Sequence, residues 1–561
     1  MQHFTFRAAM KKILIAISLF LLVLGKLNGQ TSGDEALRIA TFCKVWGFLK
    51  YYHPAVAKGT MDWDSVFLSR MGKLKALSKK EEINNFYITW LESLGKVEPC
   101  KKCRNDLSPN ALTFNLDLDW LNDSTEFSPE MMNRLRFIRQ NRNQGENYYV
   151  KTFPGVGNAD FGNELPYKDS VFPSPELRTL GLARYWNMIQ YFFPYKYIIG
   201  RDWKEVLVEM VPKFTDAKDT VSYHLAMLEL TAKINDSHAG FTTRYTNQYF
   251  GLKWVPFQYK IIDNKAIVTG TYNDTLMVEN DMLIGDVVLK SGNRDIGEII
   301  REKSKFVGAS NEATQLRNFR NYLFNGDTDS VQITFDRNGK VFQKTIGRYL
   351  YPSFHYPPVN ANPADTFKML GDNIGYVNMG LLQPGQVDGL FKQFEKTRAI
   401  IFDVRNYPNS TLYNISYHLN PDRVSFAKFS VPDPTYPGVF TYTKTVSAGG
   451  KNKNHYRGRV VLLFNETSQS HAEFTLMALK TAPDVIGIGS QTAGADGNVS
   501  VITFPGNFKT FITGIGVYYP DGKETQRIGI VPDIEVKPTI SGIRAGRDEV
   551  LEKALEVLSV K

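Results

Sequence analysis

The sequence predicts an α/β protein with a small β-rich module ahead of its main domain and a duplicated helical region before both. Three observations predict this. From about Lys368 onward, apolar strand runs ("NIGYVNMG", "AIIFDVRN", "RVVLLFN", "DVIGIGS") alternate with helical patterns, as in a layered, mostly parallel sheet. From about Trp254 to Gly347 the pattern is one of short β-rich runs. Ahead of these, two aromatic-rich stretches beginning at Leu37 and Leu177 align without a gap.

The chain has 561 residues, 43% hydrophobic and 13% aromatic, enough for several packed cores and incompatible with a disordered chain. Its formal charge is +10, of which Arg7, Lys11, Lys12 and Lys26 carry four near the start. No dense Lys/Arg run follows, so the composition argues against nucleic-acid binding and for a mildly basic surface.

Each region has its own reason. Residues 1–29 read as a secretory signal: two lysines precede an apolar run from Ile13 to Gly25, too short for a comfortable membrane span. The mature chain is expected to be periplasmic or secreted, with no stable membrane span. Residues 30–103 form the first helical repeat, and 174–250 the second. Trp46/Trp186, Pro54/Pro194, Asp62/Asp202 and Trp63/Trp203 are identical pairs at a spacing of 140, and each copy reads as a helix ending near its proline, a turn, then more helix. In an exported protein the "CKKC" of Cys100 and Cys103 favours a local disulfide, and Cys43 in a helical apolar pattern reads as a buried free thiol. Residues 104–173, rich in Asn, Pro and Gly, are expected to be an irregular connection with short strands. Residues 251–350 hold the β module. Its "GDVVLKSGNRDIGEII" resembles the core of a PDZ domain. Residues 366–540 form the α/β core, and 541–561 a C-terminal helix.

The chemistry gathers in "VVLLFNETSQSHAEFTLMALK", Val460 to Lys480. Val460 to Phe464 reads as a buried strand and the "AEFTLMALK" that follows as a helix, which puts Ser470 at a helix N-terminus. There the unpaired N–H groups and the dipole favour an alkoxide or oxyanion. Ser470 with Glu473 three residues later also reads as an ordinary capping box. Local chemistry alone leaves both readings open.

The order of "NETSQSHAEFTLMALK", "VIGIGSQTAG" and "YYPDGKETQRIGIVPDIEV" resembles the tail-specific (carboxy-terminal processing) serine peptidase family. "AIIFDVRNYPN" resembles its strand and oxyanion loop. The likeness covers roughly residues 230 to 540, and implies a ClpP/crotonase-like αβ catalytic core with Ser470 as nucleophile. The commoner branch uses a lysine base, but Ala495 stands in its place here. "NDSHAGF", Asn235 to Phe241, resembles the histidine segment of the tricorn-like branch. Carried over, His238 is the base, Ser237 its neighbour and Glu524 the acid, with Gln526 as the alternative alignment. The backbone N–H groups of His471 and Asn409 would form the oxyanion hole, although Asn409 and Ser410 replace the family's usual glycine pair. No metal or organic cofactor is implied.

The leading expectation is therefore an exported serine endopeptidase acting on a peptide or protein substrate, as a monomer or an oligomer. A catalytically inactive peptide- or ligand-binding protein on the same fold is the alternative. A serine hydrolase of non-peptide esters ranks third, because no "G-x-S-x-G" elbow is present.

Overall fold

The computed structural model describes residues 33–103, 107–354 and 366–559, so the expected signal segment lies outside the described residues. The helical region starts with residues 33–52 and continues through Pro54–Ala57, Trp63–Lys75 and Lys80–Ser93. The second helical stretch is Pro175–Phe192, Trp203–Thr215 and Thr220–Ala232. Asp62 and Asp202 each cap the helix that follows. Trp46 and Trp63 stack and each donates its indole N–H to the other's carbonyl. Trp186 and Trp203 repeat the same stack and the same reciprocal bonds 140 residues on. All four indoles are buried in one large aromatic core. Each is therefore satisfied at its N–H while contributing about 4–6 kcal/mol of gross burial.

The connecting region departs from the expectation of an irregular segment. It contains a full helix, Pro129–Gln140, beside the short strands Ala111–Leu112, Lys151–Thr152 and Ala159–Asp160. Ser128 accepts the Met131 N–H as N-cap, and Pro129 sits at the first helical position. Met131, Leu135 and Ile138 then bury one face. Loop-forming residues on either side masked a well-capped helix.

In the β module, Phe257–Ile262 and Lys265–Thr271 form a hairpin, as do Ser330–Arg337 and Lys340–Gly347. Val287–Ser291 lies between the two. The turns at Asp263–Asn264 and Asn338–Gly339 have positive φ throughout, matching the twist of a two-residue hairpin.

The main sheet runs Phe367–Leu370, Ile374–Asn378, Ala399–Asp403, Arg459–Phe464, Val485–Gly489, Ile534–Glu535, parallel except for the first pair. Strand alternation sorts its two faces. Ile400, Phe402, Leu462 and Phe464 pack on the helices Val387–Phe394, Leu412–Leu419 and His471–Leu479. Ala399, Ile401, Val461 and Leu463 pack on the C-terminal helix Glu549–Ser559.

One element ties this core to the helical region. The hairpin Val499–Phe504/Phe508–Thr513 drives Ile502, Phe504 and Ile512 into the aromatic core, with Phe504 stacked on Tyr185. No helix among the described residues is long and apolar enough to cross a membrane.

Candidate active site

Three loops leave the carboxyl ends of adjacent parallel strands, where crevices form in open α/β sheets. They follow Asp403, Phe464 and Gly489. The middle one is the short turn into the His471–Leu479 helix. Its hydroxyls are not equivalent. Ser468 is buried and its Oγ donates to the Val404 carbonyl at 2.7 Å. Thr467 Oγ1 is held by Asn465 Oδ1 at 2.6 Å. Ser470 remains, partly exposed, at φ 58° and ψ −121°. A non-glycine residue there costs on the order of 1–3 kcal/mol and persists only where its surroundings enforce it.

Those surroundings centre on Glu473. Its fully buried carboxylate accepts from Thr492 Oγ1 (2.6 Å), Gly494 N–H (2.7 Å), Ala495 N–H (3.0 Å) and Ser470 N–H (3.1 Å). Burial raises its pKa against these four bonds. The Ala495 carbonyl in turn accepts the Ser470 N–H at 2.9 Å. Gly494, at φ 68°, turns the chain so that a Cβ would strike the Arg527 backbone at 2.8 Å. Asp496 is also buried, with Oδ1 on the Gly497 N–H at 2.6 Å and Oδ2 unpaired among the described residues. Burial, then the charge of Glu473, pushes its pKa well up.

The "NDSHAGF" turn follows the Thr220–Ala232 helix and docks on this assembly. Asn235 turns the chain at φ 51°. The Ser237 carbonyl accepts from Gln469 Nε2 at 3.3 Å, one residue before Ser470. Ser237 Oγ donates to the Ala493 carbonyl at 3.2 Å and accepts the Ser310 N–H at 2.8 Å. The β module completes the clamp. Asn311 reaches the Thr492 carbonyl at 2.8 Å, and Arg317 reaches the Glu466 carbonyl at 2.6 Å and Gln469 Oε1 at 2.8 Å.

His238 is nearly buried, and its Nδ1 lies 2.8 Å from Thr513 Oγ1 and 3.8 Å from Asp236 Oδ1. The Thr513 hydroxyl donates to Asp236 Oδ1 at 2.9 Å, and the Thr513 N–H to Oδ2 at 2.7 Å. A carboxylate can only accept, so the single hydroxyl proton is spent on Asp236. Thr513 Oγ1 must then accept from Nδ1–H, which leaves the lone pair on Nε2. Burial lowers the His238 pKa, and the Asp236 charge opposes it.

Residues 373–536 match peptidase family S41. Those residues form a peptidase family S41 core. The S41 core is that of a serine-type peptidase, and a peptidase takes a peptide or protein substrate. The structure of mature CPAF complexed with lactacystin aligns with a TM-score of 0.55 at 14% identity, covering 68% of this chain and 98% of that chain. Mature CPAF alone aligns with a TM-score of 0.54 at 14% identity, covering 68% and 97%. At such identity the likeness shows the fold alone. No curated protein sequence matches the chain.

Within the S41 core and the turns that flank it, the residues singled out from sequence fall into two groups. Ser470, His238 and Ser237 belong to segments joined by hydrogen bonds. His471 opens the helix, where the first N–H groups have no intrahelical acceptor. Its ring lies 6.1 Å from that of Tyr407, and a backbone hydrogen bond with Asn409 opposes the burial that lowers its pKa. Asn409 anchors its own loop through Nδ2 to the Leu382 carbonyl at 2.9 Å.

Glu524 is placed differently from the expectation. It accepts from Tyr197 Oη, while Gln526 Nε2 reaches toward Asp236 Oδ1 at 3.4 Å. The carboxylate beside the imidazole is Asp236, which the sequence reading quoted within "NDSHAGF" but gave no role. Thr513 carried no sequence signal at all. Among the described residues no group of three or more His, Cys, Asp or Glu side chains is placed to hold a metal ion.

Proposed function

We propose that this S41 chain is an exported serine endopeptidase in which Ser470 is the nucleophile and His238 the general base. Nε2 takes the Ser470 hydroxyl proton as Oγ attacks the scissile carbonyl, then delivers it to the leaving amine. A water molecule hydrolyses the acyl ester by the same route. Asp236 acts through Thr513, fixing the tautomer and stabilising the imidazolium, in the role first assigned to Glu524. Ser237 secures the turn that carries the base. The N–H of His471 and a backbone N–H of the Asn409–Ser410 turn receive the oxyanion. Residues 251–350 serve as a PDZ-like module, and the two helical stretches are a duplicated unit that holds the histidine turn against the core.

One observation carries this reading. The imidazole has its Nδ1 side committed to Thr513 and Asp236, and its turn is bonded to the residue preceding Ser470. Export is supported by the Met10 to Gln30 pattern and by the bond between Cys100 and Cys103. The test pairs a fluorophosphonate serine probe with hydrolysis of a denatured protein substrate. Wild-type protein should label at Ser470 and cleave. Ser470→Ala should do neither, and His238→Ala should lose several orders of magnitude in turnover. Retained turnover in Ser470→Ala rejects the reading. No labelling and no turnover in wild type favours the binding-protein alternative.

A further inference from the structure

The helical region holds a cavity of about 600 Å³ far from the catalytic loops in sequence, between the Lys80–Ser93 and Pro129–Gln140 helices. Drug-sized ligands occupy pockets of about 300–1,000 Å³. Leu91, Val97, Phe137 and Ile138 give this one apolar walls, and His53 contributes to its lining.

His53 is what packing alone does not explain. It is 2% exposed, and 140 residues on the aligned position is Phe193, equally buried. A phenyl ring therefore suits that place in the helical unit. An imidazole there has lost its hydration, and burial lowers its pKa from 6.5 to about 4, so it is neutral at physiological pH. Its Nδ1 accepts the Ala55 N–H at 3.2 Å, which puts the ring proton on Nε2. Among the described residues nothing accepts that proton. The remaining polar group of the ring is thus a neutral donor without a partner among the described residues.

The charges at the rim are already matched. Arg134 pairs with Glu92 and Glu130, each at 2.8 Å, and Lys96 with Glu98 at 3.3 Å. Among the described residues no unpaired charge at the rim is left to recognise an ion. The walls are also braced. The Cys100–Cys103 bond closes the segment after Val97, and the Cys100 N–H donates to Asn141 Oδ1 at 2.7 Å, just past the opposite helix. A braced cleft loses little entropy on binding.

We infer that this cleft is a binding site for a neutral, largely apolar small molecule bearing one hydrogen-bond acceptor, which takes the Nε2–H of His53. The site is independent of the catalytic reading above.

The test uses 6-propionyl-2-(dimethylamino)naphthalene, a neutral naphthyl ketone whose emission shifts to the blue in apolar surroundings, with the full mature chain. Wild type should bind one equivalent saturably. Val97→Trp, which fills the cleft, should abolish binding, and so should Phe137→Asp, at an exposed position, with a thermal melt to check that each variant folds. His53→Phe, which installs the residue of the other helical stretch, should weaken the ketone about three- to tenfold, the worth of one neutral hydrogen bond. It should leave unsubstituted naphthalene unaffected. Absence of saturable binding to wild type, or equal binding to both cleft-blocking variants, overturns the site. Equal ketone affinity in His53→Phe overturns the role of His53 and the acceptor requirement.

Discussion

Asp236→Asn is the perturbation that bears most directly on how His238 works. The Asp236 carboxylate lies 3.8 Å from Nδ1. At an effective dielectric constant of about 20, opposite charges at that separation attract by about 4 kcal/mol. This attraction exists only once the imidazole has taken the serine proton, so it acts on the transition state rather than on the resting enzyme. Removing it should lower kcat by about a thousandfold, since each 1.4 kcal/mol is about a factor of ten. KM should change little. The sign of the pH effect follows from the same charge. Asp236 opposes the burial that lowers the His238 pKa, so its loss should lower that pKa further. The acid limb of kcat/KM should therefore move to lower pH in the variant. Stopped-time hydrolysis of a quenched fluorescent peptide between pH 4 and 8 reads both effects, and a thermal melt checks that the variant folds. Activity of folded Asp236→Asn within threefold of wild type, or a larger loss in Glu524→Gln, would refute the assignment.

Four further outcomes are expected. Ser468→Ala should cost about 1 kcal/mol of stability, because its buried hydroxyl bonds the Val404 carbonyl, yet should keep its turnover, and His471→Ala should retain far more activity than His238→Ala in the same assay. Glu473→Gln should lose about 2 kcal/mol or more in urea unfolding, because an amide nitrogen would face N–H donors that now share a carboxylate. Asp496→Asn should stabilise the protein by about 1–3 kcal/mol at neutral pH. Its folded pKa is raised, so the protonated form fits the fold and stability falls as pH rises above the ordinary 3.8; the gain should vanish below that pH, and a pH-independent gain would contradict the cause.

Local signals in the sequence determined the local structure. The helix, turn and further helix read in each aromatic stretch and the alternating strand runs all rest on patterns within single segments, and the elements they indicate are present. So is the turn that sets Ser470 between the Arg459–Phe464 strand and the His471–Leu479 helix. One overlooked helix, Pro129–Gln140, also had a local signal in Ser128 and Pro129, but flanking loop-forming residues outweighed it. Tertiary structure alone decided which polar groups meet. Thr513 reaches His238 because the hairpin that carries it is buried in the aromatic core of the helical region, 275 residues away along the chain. Glu524 turns instead to Tyr197, although two residues further on Gln526 faces Asp236. Helices and strands follow from periodicity within a segment, whereas a hydrogen bond depends on ångström distances between segments that only their packing brings together.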